Sequence, residues 1–515
     1  VRSLYTAALV ALPLLLLAPD VWSSDRYTVT LAPGATPAQA TATVQALINS
    51  VPAGSIIHFP AGSYTLAQAP SSATWCLLIN KSLTIEGEGI SSTKLILDPG
   101  EADDVDTVWM LRVSGVVGFT LRDIDVSGSK PGSGTVTAYD GLIEHHQGLS
   151  LINSSGITIT RVNFHDHTGD GVNLNANVTD VLVDDVDFQY NQRDGISLAP
   201  PDMLALIPPQ PPTPVARVTI RNSRFVGITS QPIDNEHGPA YDVEVYGNTI
   251  SAGLNDYVVA VGGPIDREGS YSERWSIHDN VLNGPVLVTR GKHVTIRDNL
   301  DGINGTKKPC LEVWRTSSDV LYTHNNCRLT QLSTVSVGGV GIFGTTGEYP
   351  YDIRIVENKI QVDHPKGFGV RVDGAISVEV RGNTLIGGAT SLQVGYAGVY
   401  LRATTTEVDF ESATVIGNSI TGFGQYGVAI FGNGAARMLN ATIAGNNVFN
   451  PAPGGPLRTA VSLDDGTGAL RAGTIYGNVT GCGLTAGVTG VPTGPGGVNN
   501  SFTFGTVAVT GSCPQ

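Results

Sequence analysis

The sequence predicts an all-β solenoid, a stack of short coils whose equivalent strands lie side by side in parallel sheets. Three observations carry this. A short pattern recurs along the chain: apolar, any, apolar, any, any, Asn, any, apolar. Its internal period is two, the alternation of a strand and not of a helix. Successive copies stand roughly 19–35 residues apart, too short for an independent domain and suited to one coil.

The copies read "VTIRNSRF" at 218–225 (slightly stretched), "VEVYGNTI" at 243–250, "WSIHDNVL" at 275–282, "IRIVENKI" at 353–360, "VEVRGNTL" at 378–385, "ATVIGNSI" at 413–420 and "ATIAGNNV" at 441–448. Between them lies a second strand, such as "GVNLN" (171–175), "GISLA" (195–199), "PIDNE" (232–236) or "GVRVD" (369–373), with Gly or Asn at the corners. Apolar positions point inward and stacked strands run parallel. Asn248, Asn280, Asn358, Asn383, Asn418 and Asn446 have a structural reason to recur. An Asn tolerates a left-handed backbone at a sharp bend, and stacked Asn side chains hydrogen-bond from coil to coil.

Composition agrees. Of 515 residues, 41% are apolar and 15% charged, enough for a large core. Gly, at 63 residues, is well above the usual ~7% and supplies many turns. The net charge of −15 argues against nucleic acid, yet leaves room for a local basic cleft that takes an acidic polymer.

Residues 1–24 read as a secretory signal peptide: Arg2, an apolar run Ala7–Leu17, then small residues near Ser23 and Ser24. That run is shorter than a bilayer span, and no later segment is long and apolar enough for one. In an exported chain, Cys310 with Cys327 and Cys482 with Cys513 are the expected pairs, leaving Cys76 over. None of these has metal-ligand spacing.

An open solenoid end exposes a strand edge that needs cover. Residues 36–66 answer this: a short amphipathic helix over 38–49 offers Ala42, Val44, Ala46, Leu47 and Ile48 to the first coil. The cap, followed by "IIHFPAGSYTL" and then "SLTIEGEG", resembles the start shared by pectate lyases, polygalacturonases and phage tailspikes. The chain thus resembles the right-handed parallel β-helix proteins of the pectate-lyase-like superfamily. That resemblance implies a right-handed parallel β-helix over about 25–482, with 483–515 a C-terminal cap or tail. It implies no single activity, because lyases, hydrolases, epimerases and binding proteins share the fold.

Alternation assigns the outward positions. In "GDGVNLN" these are Asn173 and Asn175, in "RDGISLA" Ser197, and in "QPIDNEHG" Asp234 and Glu236. Asp170 and Asp194 precede their strands at matching Asp-Gly positions, which stacking would bring about 5 Å apart. Arg193 stands beside Asp194, and His165, His167 and His237 fall in the same stretch, where proton chemistry would use them. The column continues through Arg290, Glu312, Trp314, Arg371 and Tyr400, whose arginines and aromatics suit a carboxylated or polyhydroxylated polymer. A Pro-rich insertion at 201–214 follows the site and is stiff enough to wall a cleft. The acidic loop 101–106 has a composition that calcium accepts; no other cofactor is expected.

Two chemistries fit. A glycoside hydrolase needs an acid and a base, ~6.5–9.5 Å apart for inversion, and Asp170, Asp194, Asp234 and Glu236 supply such pairs. Glu236 or Asp234 would be the acid, with Asp194 or Asp170 activating water. A polysaccharide lyase needs a base and a cation, for which Arg193 with His165 or His167 would serve. The likeness to polygalacturonases stops at the Asp-Gly strand entry, since their Asp-Asp, Gly-His-Gly and Arg-Ile-Lys runs are missing. The run Gln192, Arg193, then Asp234 and Glu236 is similar to one in uncharacterised bacterial β-helix proteins. A third reading, a monomeric glycan-binding or structural protein without turnover, fits the same polar face.

Overall fold

The computed structural model describes residues 25–69, 74–101, 108–129, 146–198, 214–235, 239–252, 257–262, 271–303, 308–329, 338–363, 367–388, 397–403, 409–432, 440–449, 459–464, 472–476, 478–480, 486–489, 501–504 and 508–509. A representative coil runs through Val178–Asp184, Asp187–Gln189 and Ile196–Leu198. Each of these strands pairs in parallel with its counterpart on the next coil, so the coils stack into three walls. The third wall is a 15-stranded sheet. The first two walls form one sheet of 31 strands folded along a bend, because the long strands Val117–Ser127 and Ser154–His165 pass through that bend unbroken. The chain is a parallel β-helix.

The interior follows the predicted alternation. Val172, Leu174, Ile196, Leu198 and Ile233 are fully buried, and their counterparts fill the solenoid from end to end. Phe164, Phe188 and Phe225 stack inside it, with ring centroids 5.6 and 4.6 Å apart. The rings explain two corner glycines. A Cβ on Gly195 would stand 2.7 Å from the Phe225 ring, and one on Gly171 would stand 2.9 Å from Phe188.

The Asn ladder lies at the bend between the first and second walls. Asn358 donates through Nδ2 to the carbonyls of Tyr322 (2.8 Å) and Val356 (3.0 Å). Its Oδ1 accepts from the backbone (2.9 Å) and side chain (3.1 Å) of Asn325. Asn325, in the looser copy "VLYTHNNC" at 320–327, belongs to the ladder, Asn299 and Asn478 extend it beyond the copies read from sequence, and Ser223 opens it. The left-handed residue is not the Asn, as the sequence suggested, but the one before it. Asp279, Asp298, His324 and Glu357 have φ of 55°, 56°, 55° and 57°, and Gly382, Gly417 and Gly445 take the same place further on. The Asn can then turn inward and satisfy the bend's backbone groups.

The cap helix is Pro37–Ser50, closed by a capping box between Thr36 and Gln39. It buries Ala40, Thr41, Val44 and Ile48, spaced for one helical face, while Ala42 and Ala46 stay exposed, contrary to expectation. Its polar residues close the open sheet edge. Thr41 exchanges hydrogen bonds with the backbone of Ala67, and Gln45 does so with Leu78. Cys310 and Cys327 form the expected disulfide, and Cys76 is buried elsewhere. Strands Ala486–Thr489, Ser501–Phe504 and Ala508–Val509 keep pairing onto earlier coils, so the sheets run past 482. The signal-like 1–24, the acidic 102–106, the insertion at 201–213, Cys482 and Cys513 lie outside the described residues. No helix among the described residues is long and apolar enough to cross a membrane.

Candidate active site

On the third wall the register fixes who faces whom. Asn173, Ser197 and Asp234 stand opposite one another on successive rungs, followed by Ala260, Leu287, Glu312, Gly341, Arg371 and Tyr400. The strand alternation sends all of these away from the core. Asp170 and Asp194 occupy equivalent corners just before their strands, each holding the rung below through its carbonyl: Gly148 N–H to Asp170 at 3.0 Å and Gly171 N–H to Asp194 at 3.0 Å.

The three acids are brought together, and their surroundings differ. Asp170 is fully buried, and three donors reach its carboxylate: Asn173 Nδ2 at 2.9 Å, Arg193 Nη1 at 3.3 Å and the Asp194 N–H at 3.3 Å. Asp194, also buried, accepts the Gln231 N–H on Oδ1 at 3.0 Å. Its Oδ2 accepts no hydrogen bond among the described residues, and Arg193 Nε stands 3.8 Å away. Burial pushes the Asp194 carboxyl well above the usual carboxylate range, and the negative charges of Asp234 and Asp170 push it the same way against Arg193. A carboxyl whose burial and acidic neighbours favour its protonated form is the arrangement a proton donor needs. Asn235 is a buried polar residue on an otherwise apolar inner face and is satisfied: Nδ2 donates to the Leu198 carbonyl at 2.8 Å, and Ser272 Oγ donates to Oδ1.

His165 and His167 do not join this cluster. His167 is fully buried, accepts no place on the outer face, and binds the Val126 carbonyl through Nε2 at 3.2 Å. Burial and the neighbouring His165 charge push its pKa down to about 3. It is a corner residue of the core and is removed from the catalytic set. His165 lies around the corner on the second wall, held by Asp166 at 2.7 Å and Asp125 at 3.0 Å. Burial works against its charge, but the two carboxylates win and raise it to about 9. Glu236 and His237 lie outside the described residues.

Further along the third wall, Glu312 accepts from Tyr257 Oη (2.5 Å) and Trp314 Nε1 (3.0 Å). Trp314 packs on Phe343 at 4.8 Å, Arg371 lies 5.4 Å from the Phe368 ring, and Tyr400 sits between Phe368 and Phe431. Arg290 is corrected: it sits at a bend with φ 55°, and its guanidinium is buried against Glu348 at 2.6 Å, so it serves the fold. Among the described residues, no group of three His, Cys, Asp or Glu is placed to hold a metal.

No protein-family profile and no curated protein sequence matches the chain. Solved structures do resemble it. The A-module of a mannuronan C-5 epimerase from Azotobacter vinelandii has a TM-score of 0.39 at 16% identity, covering 92% of this chain and 96% of its own. A tailspike protein of an E. coli bacteriophage, solved with a pentasaccharide, gives 0.49 at 10% identity over 92% and 76%. An alginate lyase from a Paenibacillus species gives 0.35 at 10% identity over 67% and 92%. The neighbours are carbohydrate-active β-helix proteins. At these identities and TM-scores the likenesses carry no argument about chemistry, and the architecture stands on the sheet registers themselves.

Sequence reasoning missed residues on both flanks of the acids. Phe343, Phe368 and Phe431 share the wall with Tyr400, and following the alternation two residues further would have found Phe343 and Phe431. Trp75 and Trp109 lie on earlier rungs, at the corner column of Asp170. They precede the clear repeats, so no spacing pointed to them.

Proposed function

We propose that this chain is an exported protein that cleaves a polysaccharide lying along the third wall, by glycoside hydrolysis in preference to lyase chemistry. The observation that carries the proposal is Asp194: a buried, proton-retaining carboxyl on the rung between Asp170 and Asp234. This exchanges the roles expected from sequence, because Asp194 rather than Asp234 is the proton donor. Asp170 or Asp234 supplies the carboxylate base, Glu236 is expected from the sequence alternation alone to face the same way as Asp234, and Arg193 holds the pair of corner acids in place. Hydrolysis is favoured because it needs an unlike carboxyl pair, whereas the histidines a lyase would use stand elsewhere.

The test is a screen of a polysaccharide panel for new reducing ends and for near-UV absorbance of unsaturated products. Hydrolysis gives the first without the second, and Asp194→Asn abolishes it. Turnover untouched by Asp194→Asn sinks the proposal. One observation favours a second reading, glycan binding without turnover: Asp170, Asp194 and Asp234 are only 0%, 1% and 5% exposed. Retention on a glycan gel with no turnover on any substrate would select that reading. Export rests on the N-terminal sequence alone and is tested by sequencing the N-terminus of protein recovered from the culture medium.

A further inference from the structure

Arg112 lies on the third wall between two indole rings. Its guanidinium carbon is 4.2 Å from the Trp109 ring centre and 5.3 Å from that of Trp75. The two tryptophans are register partners on adjacent rungs, and Arg112 shares the outward column of Ser150, Asn173, Ser197 and Asp234. Trp109 Nε1 donates to Gln147 Oε1 at 2.6 Å, which fixes the ring's plane. Gln147 in turn occupies the corner position equivalent to Asp170, one rung earlier. Trp109 is therefore two rungs, about 10 Å, from Asp170 along the solenoid axis.

The charge balance at this place is unusual. Five other arginines on or beside this wall are each met by a carboxylate: Arg193 by Asp170, Arg290 and Arg315 by Glu348, Arg371 and Arg402 by Asp373. Arg112 makes no ion pair among the described residues. It is half-buried, burial lowers its pKa, and no carboxylate among the described residues opposes that shift. A partly desolvated guanidinium with no carboxylate partner among the described residues is a place where an anionic ligand would recover free energy. Its planar fork suits a carboxylate or sulfate, and the flanking rings offer flat apolar faces to a sugar.

We propose that Trp75, Trp109 and Arg112 form a subsite for an anionic sugar residue, carboxylated or sulfated, two rungs before Asp170. This rests on the proposed polysaccharide reading and narrows its substrate to an acidic polymer. The polymer runs along the wall with its anionic group on Arg112 and its ring against Trp109.

The test is calorimetric binding on the Asp194→Asn protein, which removes turnover, using a hexauronate, a sulfated hexasaccharide and cellohexaose. At least one acidic probe binds, with quenching of tryptophan fluorescence, and Arg112→Gln weakens it by about tenfold or more. Arg112→Lys keeps part of the affinity, which separates lost charge from lost fold, and the two acidic probes separate carboxylate from sulfate. Three results overturn the proposal: no acidic probe binds, cellohexaose binds as well and as dependently on Arg112, or Arg112→Gln lowers the melting temperature yet leaves affinity within about twofold. The last would mean that a carboxylate of the chain itself is the partner. The wider reading is scored separately. Asp194-dependent cleavage of a neutral polymer, with Arg112 irrelevant, keeps the enzyme and removes the subsite. Arg112-dependent binding with no turnover by the unaltered protein keeps the subsite and removes the enzyme.

Discussion

The backbone N–H of Asp194 donates to Oδ1 of Asp170 at 3.3 Å, so the acid on one coil is tied to the main chain of the next. Stacking alone would make the two Asp-Gly corners equivalent. They are not, because the coil above Asp170 supplies an arginine and an amide, whereas among the described residues the coil above Asp194 supplies the Gln231 N–H alone. One acid has its oxygens occupied and the other keeps one bare, which is how a repeat produces two chemically distinct carboxyls.

Asp194→Asn tests the consequence. The protonated carboxyl persists above the ordinary ~3.9, so cleavage that uses it declines on the alkaline side, as pH rises through the raised pKa. Removing a general acid costs about 10²–10⁴-fold in kcat, with affinity for the polymer largely kept. Stability has a matching sign. A raised folded-state pKa gives stability that is complete below ~3.9 and lost as pH rises through the folded value. Asn removes that loss, so the variant melts higher than the parent at about pH 8 and gains nothing near pH 3.5.

Asn358→Ala tests the ladder. It strips donors from the buried carbonyls of Tyr322 and Val356 and an acceptor from the Asn325 N–H. Each orphaned group costs about 1–3 kcal/mol, so the three together are expected to cost about 3–9 kcal/mol in denaturant unfolding. Glu357→Gly, one residue earlier, removes a side chain from a left-handed position at φ 57°. It is expected to change stability by less than about 1 kcal/mol.

The solenoid was legible because its signal is periodic. Apolar alternation, Gly corners and the Asn bend repeat often enough to be read without a structure, and the Cys310–Cys327 pair followed. The outward column from Asp234 to Tyr400 was legible for the same reason. What alternation could not show is which outward group is already spoken for. Arg290 and Arg371 look alike in sequence, yet both are paired: Arg371 with Asp373 two residues on, and Arg290, buried, with Glu348, which lies far along the chain at a different corner. His167 looked catalytic because histidine is rare at turns, but its corner turns the ring inward, where burial keeps it neutral. Arg112 was invisible because what marks it is its place between two tryptophans, with no carboxylate partner among the described residues.

Asp301 gives a prediction in the core. It points inward on the second wall, in register with Leu282 and Cys327, and accepts Tyr322 Oη at 2.5 Å. Its Oδ1 has no partner among the described residues, and burial pushes it up to about 7 despite the tyrosine's opposing bond. The folded state thus keeps a proton that the unfolded chain releases near pH 4. Stability should fall as pH rises from about 4 through about 7, then level off. Asp301→Asn keeps an acceptor for Tyr322 and removes the ionisation. Urea midpoints at about pH 5 and pH 8 should differ markedly for the parent and little for the variant; equal dependence in both would refute the assignment.

Tyr400→Ala probes the far end of the wall. Tyr400 is wedged between Phe368 at 4.9 Å and Phe431 at 5.2 Å, with Arg371 opposite it in register. Six rung steps separate it from Asp234 through Ala260, Leu287, Glu312, Gly341 and Arg371, about 29 Å at the usual strand spacing. A short oligosaccharide seated on the acids does not reach that far, whereas a long polymer does. The substitution should therefore raise KM for polymer by about three- to tenfold, the loss of one aromatic contact, and leave KM for short oligosaccharides and kcat for both unchanged. An equal effect on short and long substrates would mean that the chain does not lie along the axis, since only an axial path makes the contribution of Tyr400 depend on length.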